Sequence, residues 1–431
     1  MPFETPAAAP RRIAVIGAGV SGLAAAHMLG KAHRVVLFEA EGRLGGHART
    51  VIAGKRGDQP VDTGFIVFNH VNYPNLTRLF AELDVPTTES RMSFGASFDG
   101  GRFEYALHGF DALFAQRRNV LNPPYLRMLR DILRFFARAG RLKDQPDITV
   151  DDMIRSLGLG PWFRDRFLLP FSGAIWSTPA EQVGAFPAAA MIRFFENHAL
   201  LQYSGQHQWH TVRGGSVEYV RRLEAALRAQ GAELRPGSPV AAVRRVERGV
   251  EVKTVRDDWE LFDEVVFAAH SDQSLGMLAD ASEEERAALP KIRYQANRAV
   301  LHADESLMPR RRKCWASWVY TEAEGQKGGP ISLSYWMNSL QPIPEDDPMF
   351  VTLNSRRPIR EQLIYDEAVF HHPVYDLAAL DGQAMIRQLN GTRNTWFCGA
   401  WMRNGFHEDG FASAIDVAEA IARRDAERVA A

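Results

Sequence analysis

"RRIAVIGAGVSGLAAAHMLG", residues 11–30, is the stretch on which the fold turns. An apolar run, a glycine-rich turn and a row of small residues follow one another. That order reads as strand, tight turn and helix. "GAGVSG" spaces Gly17, Gly19 and Gly22 as G-x-G-x-x-G. Gly17 permits the turn, Gly19 lets the backbone reach a pyrophosphate, and Gly22 lets the helix pack closely on the strand. The helix that opens at Ser21 offers N–H groups and a positive dipole end to the same anion. "HRVVLFEA", residues 33–40, then reads as a second strand with Glu39 at its end. An acid about 20 residues beyond the glycines is placed to accept hydrogen bonds from a ribose. The whole is a βαβ unit, so the expectation is an α/β protein with a Rossmann-type dinucleotide-binding domain.

The rest of the chain sets bounds on that reading. With 431 residues there is room for two or three domains, and 46% hydrophobic and 24% charged residues describe an ordinary globular protein. The net charge of −1 gives no global attraction to nucleic acid, which is not expected as a partner. Cys314 and Cys398 fit neither a zinc motif nor a disulfide framework, so no metal site and a reducing, cytoplasmic compartment are expected. "MPFETPAAAPRR" lacks the basic-then-apolar order of a signal peptide and reads as a disordered lead-in. No apolar run is long enough to span a bilayer.

Further α/β segments recur late in the chain. "GGSVEYVRRLEAALRAQGAEL" reads as a helix ending at Gly231, followed by strands through "SPVAAVRRVERGVEVKTV" and the buried strand "FDEVVFAAH". "NTWFCGA" and "GFASAIDVAEAIARR" close the chain as strand and helix. The dinucleotide-binding domain is therefore expected to be discontinuous, built from 11–85, 206–289 and 391–425. Between its parts lie a mostly helical insertion, 86–205, with breaks at "NPP" and "STPAEQ", and a strand-rich substrate domain, 290–390. There, "KCWASWVY" and "PISLSYWMNSL" flank "TEAEGQKGG" as a hairpin. Its Trp315, Trp318, Tyr335 and Trp336 are candidates for core packing or for the wall of an apolar tunnel.

"FEAEGRLGGHART", residues 38–50, resembles the second fingerprint of the flavin-containing amine oxidase and phytoene desaturase superfamily. The resemblance implies FAD, a loop along its diphosphate, and a two-domain architecture with an inserted α+β substrate domain. Arg43, Gly45 and Gly46 match that fingerprint, and His47 stands where the family has a second arginine. "VDTGFIVF" resembles the segment beside the flavin ring, here Gly64, Phe65, Ile66 and Val67. "SPVAAV" resembles the strand that meets the adenine, here Val240. "FCGAWMRNGFHEDGFASAI" resembles the C-terminal motif over the flavin, which implies Gly399 and Ala400 at the ribityl chain. It also sets the N–H of Glu408 or Asp409 at the flavin C2 carbonyl. Many amine oxidases hold a lysine near flavin N5. The matching strand, "QANRAVLHAD", offers Asn297 and Arg298 instead. No cysteine matches those that tether flavin in some relatives, so non-covalent FAD is expected.

"GGHARTV", "GFIVFN", "AIWST" and "GFHEDG" are most similar to a bacterial branch associated with fatty-acyl modification, which includes the flavin desaturase of furan fatty acid biosynthesis. That resemblance implies a fatty acyl chain or phospholipid as substrate. Hydride transfer to flavin N5 and loss of a proton would give a diene, with oxygen or another acceptor reoxidising the flavin. His407 and Glu408 are the candidate bases, with His70 and Tyr73 behind them. A double-bond isomerase, an amine oxidase and a non-catalytic lipid escort are the alternatives. "PPYLRMLRDILRFFARAGRLK" gathers Arg127, Arg130, Arg134, Arg138 and Arg141 on one helical face. Leu126, Met128, Leu129, Ile132, Leu133, Phe135 and Phe136 fall on the other. This pattern suits either a packed helix with a solvated face or a membrane-surface contact over 126–141, with the inner membrane as the surface. "MPRRRKCW" adds a second basic cluster.

Overall fold

The computed structural model describes residues 9–145, 147–176, 183–201, 205–325 and 332–430. The lead-in over residues 1–8, the break at "STPAEQ" and the end of the "TEAEGQKGG" loop lie outside them.

The βαβ unit forms as its pattern predicts. Strand Arg12–Ile16, helix Val20–Leu29 and strand Arg34–Phe38 follow one another. Five strands make one parallel sheet in the spatial order Glu233–Arg235, Arg34–Phe38, Arg12–Ile16, Glu264–Phe267, Thr395–Phe397. Numbered along the chain, this is the order 3-2-1-4-5 of a doubly wound sheet. Side chains alternate across it. Ile13 and Val15 enter one core with helices Val20–Leu29, Val217–Ala229 and His407–Ala430, whereas Ala14 and Ile16 enter the other. That two-sided burial explains why the inner strands read as apolar runs, while the edge strand Glu233–Arg235 does not.

A second sheet of seven strands runs Ile364–Val374, Arg293–His302, Phe350–Leu353, Leu333–Trp336, Trp318–Thr321, Phe94–Phe98, Phe103–Ala106. The expected hairpin is present, with Trp318 opposite Tyr335. The last two strands come from the start of the segment 86–205, which was expected to be mostly helical and is helical over most of its remaining described length. Phe94–Phe98 is buried on both faces, and Gly95 lies where a Cβ would come within 2.6 Å of the Cys314 carbonyl. A short run of this kind does not announce its period. Helices follow in the same segment, and Tyr125, Met128, Ile132, Phe135, Phe163 and Phe195 share one core with the sheet.

The arginine-rich helix spans Pro123–Arg138, capped by Asn122, so the "NPP" break is its start. Its arginines face outward as expected, but two leucines do not follow the expected division. Leu126 and Leu133 are 41% and 57% exposed. The core is narrower than the apolar arc of the helix and leaves that flank uncovered. Among the described residues, no helix is long and apolar enough to cross a membrane.

Candidate active site

The loops after strands Arg12–Ile16 and Glu264–Phe267 meet at the switch point of the parallel sheet, where doubly wound proteins hold their ligands. A cavity of about 310 Å³ opens there. Gly19, Ser21, His47, Gly64 to Val67, Ala268 to His270 and Gly399 to Trp401 line one side of it. Ile175, Trp176, Trp318, Tyr335, Leu353 and Phe370 to Pro373 line the other, so the cavity reaches from the nucleotide-type sheet to the seven-stranded one.

The three motif glycines serve different purposes. Gly17 has φ +100, and a Cβ on Gly22 would lie 1.8 Å from the Gly17 carbonyl oxygen, so the turn itself demands both. Gly19 has φ −70, and a Cβ there would meet no atom within 4 Å. Nothing in the protein requires glycine at 19, whereas a ligand approaching the backbone would. This open cradle at a helix N-terminus fits a diphosphate.

The "RLGGH" loop lies on the first loop. The Gly45 N–H donates to the Ala18 carbonyl at 2.8 Å. Gly46, at φ +56, stands where a Cβ would come within 3.0 Å of the Gly19 Cα. Arg43 braces this loop by donating to the Gly46 and Ala48 carbonyls at 2.8 and 3.3 Å. Glu39 accepts from the Ala18 and Glu41 N–H groups at 2.7 and 2.8 Å, one on each carboxylate oxygen. Each oxygen retains capacity for a ribose hydroxyl. Val240 lies outside the cavity lining, two residues after Ser238, whose N–H donates to the Glu39 carbonyl at 2.8 Å.

The C-terminal motif is divided by the structure. His407 lines the cavity, stacks on Phe65 at 3.9 Å, and shares a 2.5 Å hydrogen bond with the Tyr219 hydroxyl. Glu408 points elsewhere. Its carboxylate accepts from the N–H groups of Asn75 and Leu76, both at 3.0 Å, and so caps helix Pro74–Glu82. That engagement corrects the expectation of Glu408 as a base in the cavity. Asp409 accepts from the Phe406 N–H at 2.9 Å, and burial pushes its pKa up to about 6. The helix His407–Ala430 turns its N-terminus to the cavity beside that of Val20–Leu29. A Cβ on Gly410 would come within 2.7 Å of the Ser21 hydroxyl. Tyr73 lines the cavity, while His70 is exposed and packs edge-on to His210.

Alternation along strand Leu333–Trp336 sends Tyr335 and Trp336 to opposite faces, and Trp315, which precedes strand Trp318–Thr321, packs with Trp336. Trp318 and Tyr335 face the cavity. Trp315 and Trp336 point to the opposite face, where they pack with Phe350 beneath the Arg312 guanidinium. Only half of the expected aromatic wall therefore belongs to the site.

A histidine cluster was not legible beforehand. His47, His270, His371 and His372 all line the cavity, with ring centres of His47 and His372 5.6 Å apart. Burial, reinforced by the neighbouring imidazoles, pushes the pKa of His47 and His270 down to about 4 and that of His372 to about 3. All three are neutral at pH 7, and among the described residues the buried Nε2 of His47 has no hydrogen-bond partner. The adjacent "HH" in a strand was the available signal, but the pairing that brings it to His47 is a tertiary fact.

The sequence profile described as "Flavin containing amine oxidoreductase" matches residues 20–313. The hydroxyneurosporene desaturase of Cereibacter sphaeroides is 27% identical over 358 residues, covering 74% of this chain and 65% of that protein. Protoporphyrinogen oxidase 2 of Arabidopsis thaliana is 56% identical over 43 residues, 10% of this chain and 8% of that one. The chain thus spans less than two thirds of the length of these curated relatives. Among solved structures, a CLA-producing fatty acid isomerase from P. acnes matches with a TM-score of 0.68 and 15% identity, over 95% of this chain and 98% of that one. The cyclohexylamine oxidase from Brevibacterium oxydans matches with a TM-score of 0.67 and 15% identity, over 97% and 99%. Those two likenesses establish a shared fold.

Proposed function

The chain belongs to the flavin containing amine oxidoreductase family, and on that premise we propose that it is an FAD-dependent oxidoreductase that desaturates a mono-unsaturated fatty acyl chain, carried on a phospholipid, to a conjugated diene. One observation carries the choice of substrate. Among the described residues, no Lys, Arg, Asp or Glu lines the cavity. A primary amine is a cation at neutral pH. Entering this cavity would strip its water with no carboxylate to meet it. A hydrocarbon chain requires only apolar walls, and Trp176, Trp318, Tyr335, Leu353 and Phe370 supply them. The relative named a desaturase supports removal of hydrogen over amine oxidation.

Bound FAD supplies the hydride acceptor. The chain's own residues bind, orient and take the proton. The open backbone at Gly19 and two converging helix N-termini favour a negatively charged cofactor. The aromatic wall excludes water and holds the chain extended. With Glu408 engaged in capping, the proton goes to a neutral cavity imidazole. His407 and the unpartnered His47 Nε2 are the candidates. Both cysteines are buried, outside the cavity lining, and with thiol pKa values pushed up to about 12 by burial, which supports non-covalent FAD. Oxygen or another acceptor would take up the electrons removed from the acyl chain. The surface that meets the lipid is the exposed face of helix Pro123–Arg138, where Leu126 and Leu133 lie beside the arginines, in a cytoplasmic protein bound to the inner membrane.

The test is anaerobic mixing of the yellow protein with phospholipid bearing a cis mono-unsaturated chain, and separately with primary amines. The lipid is expected to bleach the flavin and to leave as a product lighter by one H₂ with the ultraviolet absorption of a conjugated diene. Bleaching by amines alone overturns the reading. A lipid product of unchanged mass replaces the desaturase with an isomerase.

A further inference from the structure

On the sheet wall of the cavity, a line of hydrogen bonds ends at an imidazole. The Arg298 N–H donates to Asn354 Oδ1 at 2.9 Å. Asn354 Nδ2 donates to Asn297 Oδ1 at 2.7 Å. Asn297 Nδ2 then donates to the Gln295 carbonyl at 3.3 Å and to His372 Nδ1 at 2.8 Å. Direction is forced at both ends, because a backbone N–H only donates and a backbone carbonyl only accepts. Each amide is therefore oriented, and His372 must accept at Nδ1. A neutral imidazole that accepts at Nδ1 carries its hydrogen on Nε2.

The surroundings hold this arrangement. Asn297 is 1% exposed in the middle of strand Arg293–His302, where Gln295 lies opposite His372. Asn354 follows strand Phe350–Leu353 at φ +48, a left-handed conformation that asparagine tolerates better than most residues. Burial, with His47 and His371 beside it, keeps His372 uncharged at neutral pH. The ring faces the cavity 5.6 Å from His47, on the loop that continues the dinucleotide cradle.

We propose that Asn354 and Asn297 are positioning residues that lock His372 as a fixed, neutral Nε2–H donor to the flavin bound in this cavity. The inference rests on the FAD and acyl-chain reading above. The reacting part of an acyl chain carries no hydrogen-bond acceptor, so the cofactor is the acceptor. A preorganised donor stabilises the cofactor most where negative charge develops on reduction. Asn297 thus stands on the strand where relatives were expected to hold a lysine, and it acts through the imidazole.

Two measurements test this on the holoprotein. Nitrogen NMR of histidine-labelled protein reads the His372 tautomer, assigned by its loss in His372→Leu. It is expected to show the hydrogen on Nε2 in the unaltered protein and on Nδ1 in Asn297→Asp, because a carboxylate can only accept. Spectroelectrochemistry of bound flavin is expected to give a more negative midpoint potential in His372→Leu, with flavin content retained. A hydrogen on Nδ1 in the unaltered protein, or a midpoint potential unmoved in a yellow His372→Leu protein, overturns the proposal. If His372→Leu does not fold, His372→Gln, which keeps a donor, is compared with His372→Met, which has none. Only the second should shift the potential. A protein that binds no FAD overturns the cofactor reading and this inference with it, whereas a yellow protein with unmoved potential overturns this inference alone.

Discussion

Gly19 and Gly22 stand three residues apart in one motif and answer to different causes. A Cβ at 22 collides with the Gly17 carbonyl, whereas a Cβ at 19 enters open space. Gly19→Leu is therefore expected to leave the apoprotein's unfolding midpoint unchanged while weakening FAD binding roughly 100-fold or more, the cost of blocking backbone contact with the diphosphate. Gly22→Ala is expected to cost the fold itself. Flavin titration beside thermal unfolding separates the two, and equal FAD affinity in Gly19→Leu would remove the cofactor argument. The motif was legible in the chain. Which glycine serves the ligand was not, because the atoms that a side chain at each position would meet come from distant parts of the fold.

At the scale of the element, the arginine helix shows how far periodicity carries. A wheel separates arginines from apolar residues, yet it does not reveal how much of the apolar arc the core will cover. Tyr125, Met128, Ile132 and Phe135 are taken into the core, and Leu126 and Leu133 remain outside. An exposed pair of leucines beside several arginines suits the boundary of an anionic bilayer. Reversing Arg127, Arg134 and Arg138 to Glu should remove about 3 kcal/mol of attraction, at about 1 kcal/mol per basic residue, or roughly 100-fold in partitioning to anionic vesicles. Leu126→Ser with Leu133→Ser should weaken binding further and reduce the part that survives high salt. Co-sedimentation reads both, and flavin content should not change, because none of these side chains lines the cavity. Binding unaffected by either set would make this helix an ordinary packed one.

At the scale of the molecule, the cavity links stability to pH. His47, His270, His372 and His407 line the cavity between the two sheets, His407 buried and the others half-buried, with pKa values of about 3 to 4, below the ordinary 6.5 that they regain on unfolding. The unfolded chain thus binds more protons below pH 6.5, and stability falls as pH falls. The contribution is whole above about pH 6.5 and is lost progressively down to about pH 4 for His47 and His270 and about pH 3 for His372 and His407. Each such histidine steepens the slope by up to about 1.4 kcal/mol per pH unit. The unfolding midpoint should drop markedly between pH 7 and 5, and His407→Phe should flatten that dependence while lowering the whole curve through the abandoned Tyr219 hydroxyl. A midpoint independent of pH in that window would contradict the burial of these rings in solution.

What the chain determined by itself is the local part. "GAGVSG", "RVVLFE" and the terminal helix follow from turn chemistry and side-chain period, which act over a few residues and can be read in order. Four strands of the parallel sheet were legible from distant segments for the same reason, since each carries an apolar run, whereas the edge strand Glu233–Arg235 carries only Leu234. Tertiary structure decided what depends on pairing. It sent Trp318 and Tyr335 to the cavity and Trp315 and Trp336 away from it. It drew Phe94–Phe98 into the large sheet, and it moved Glu408 from the expected reaction centre to the end of another helix. It also brought His47 to His372 and aligned Asn354, Asn297 and His372 into one directed line. Partners 57 and 75 residues apart leave no periodic trace in a chain, because strand register and loop closure, not local preference, bring them together.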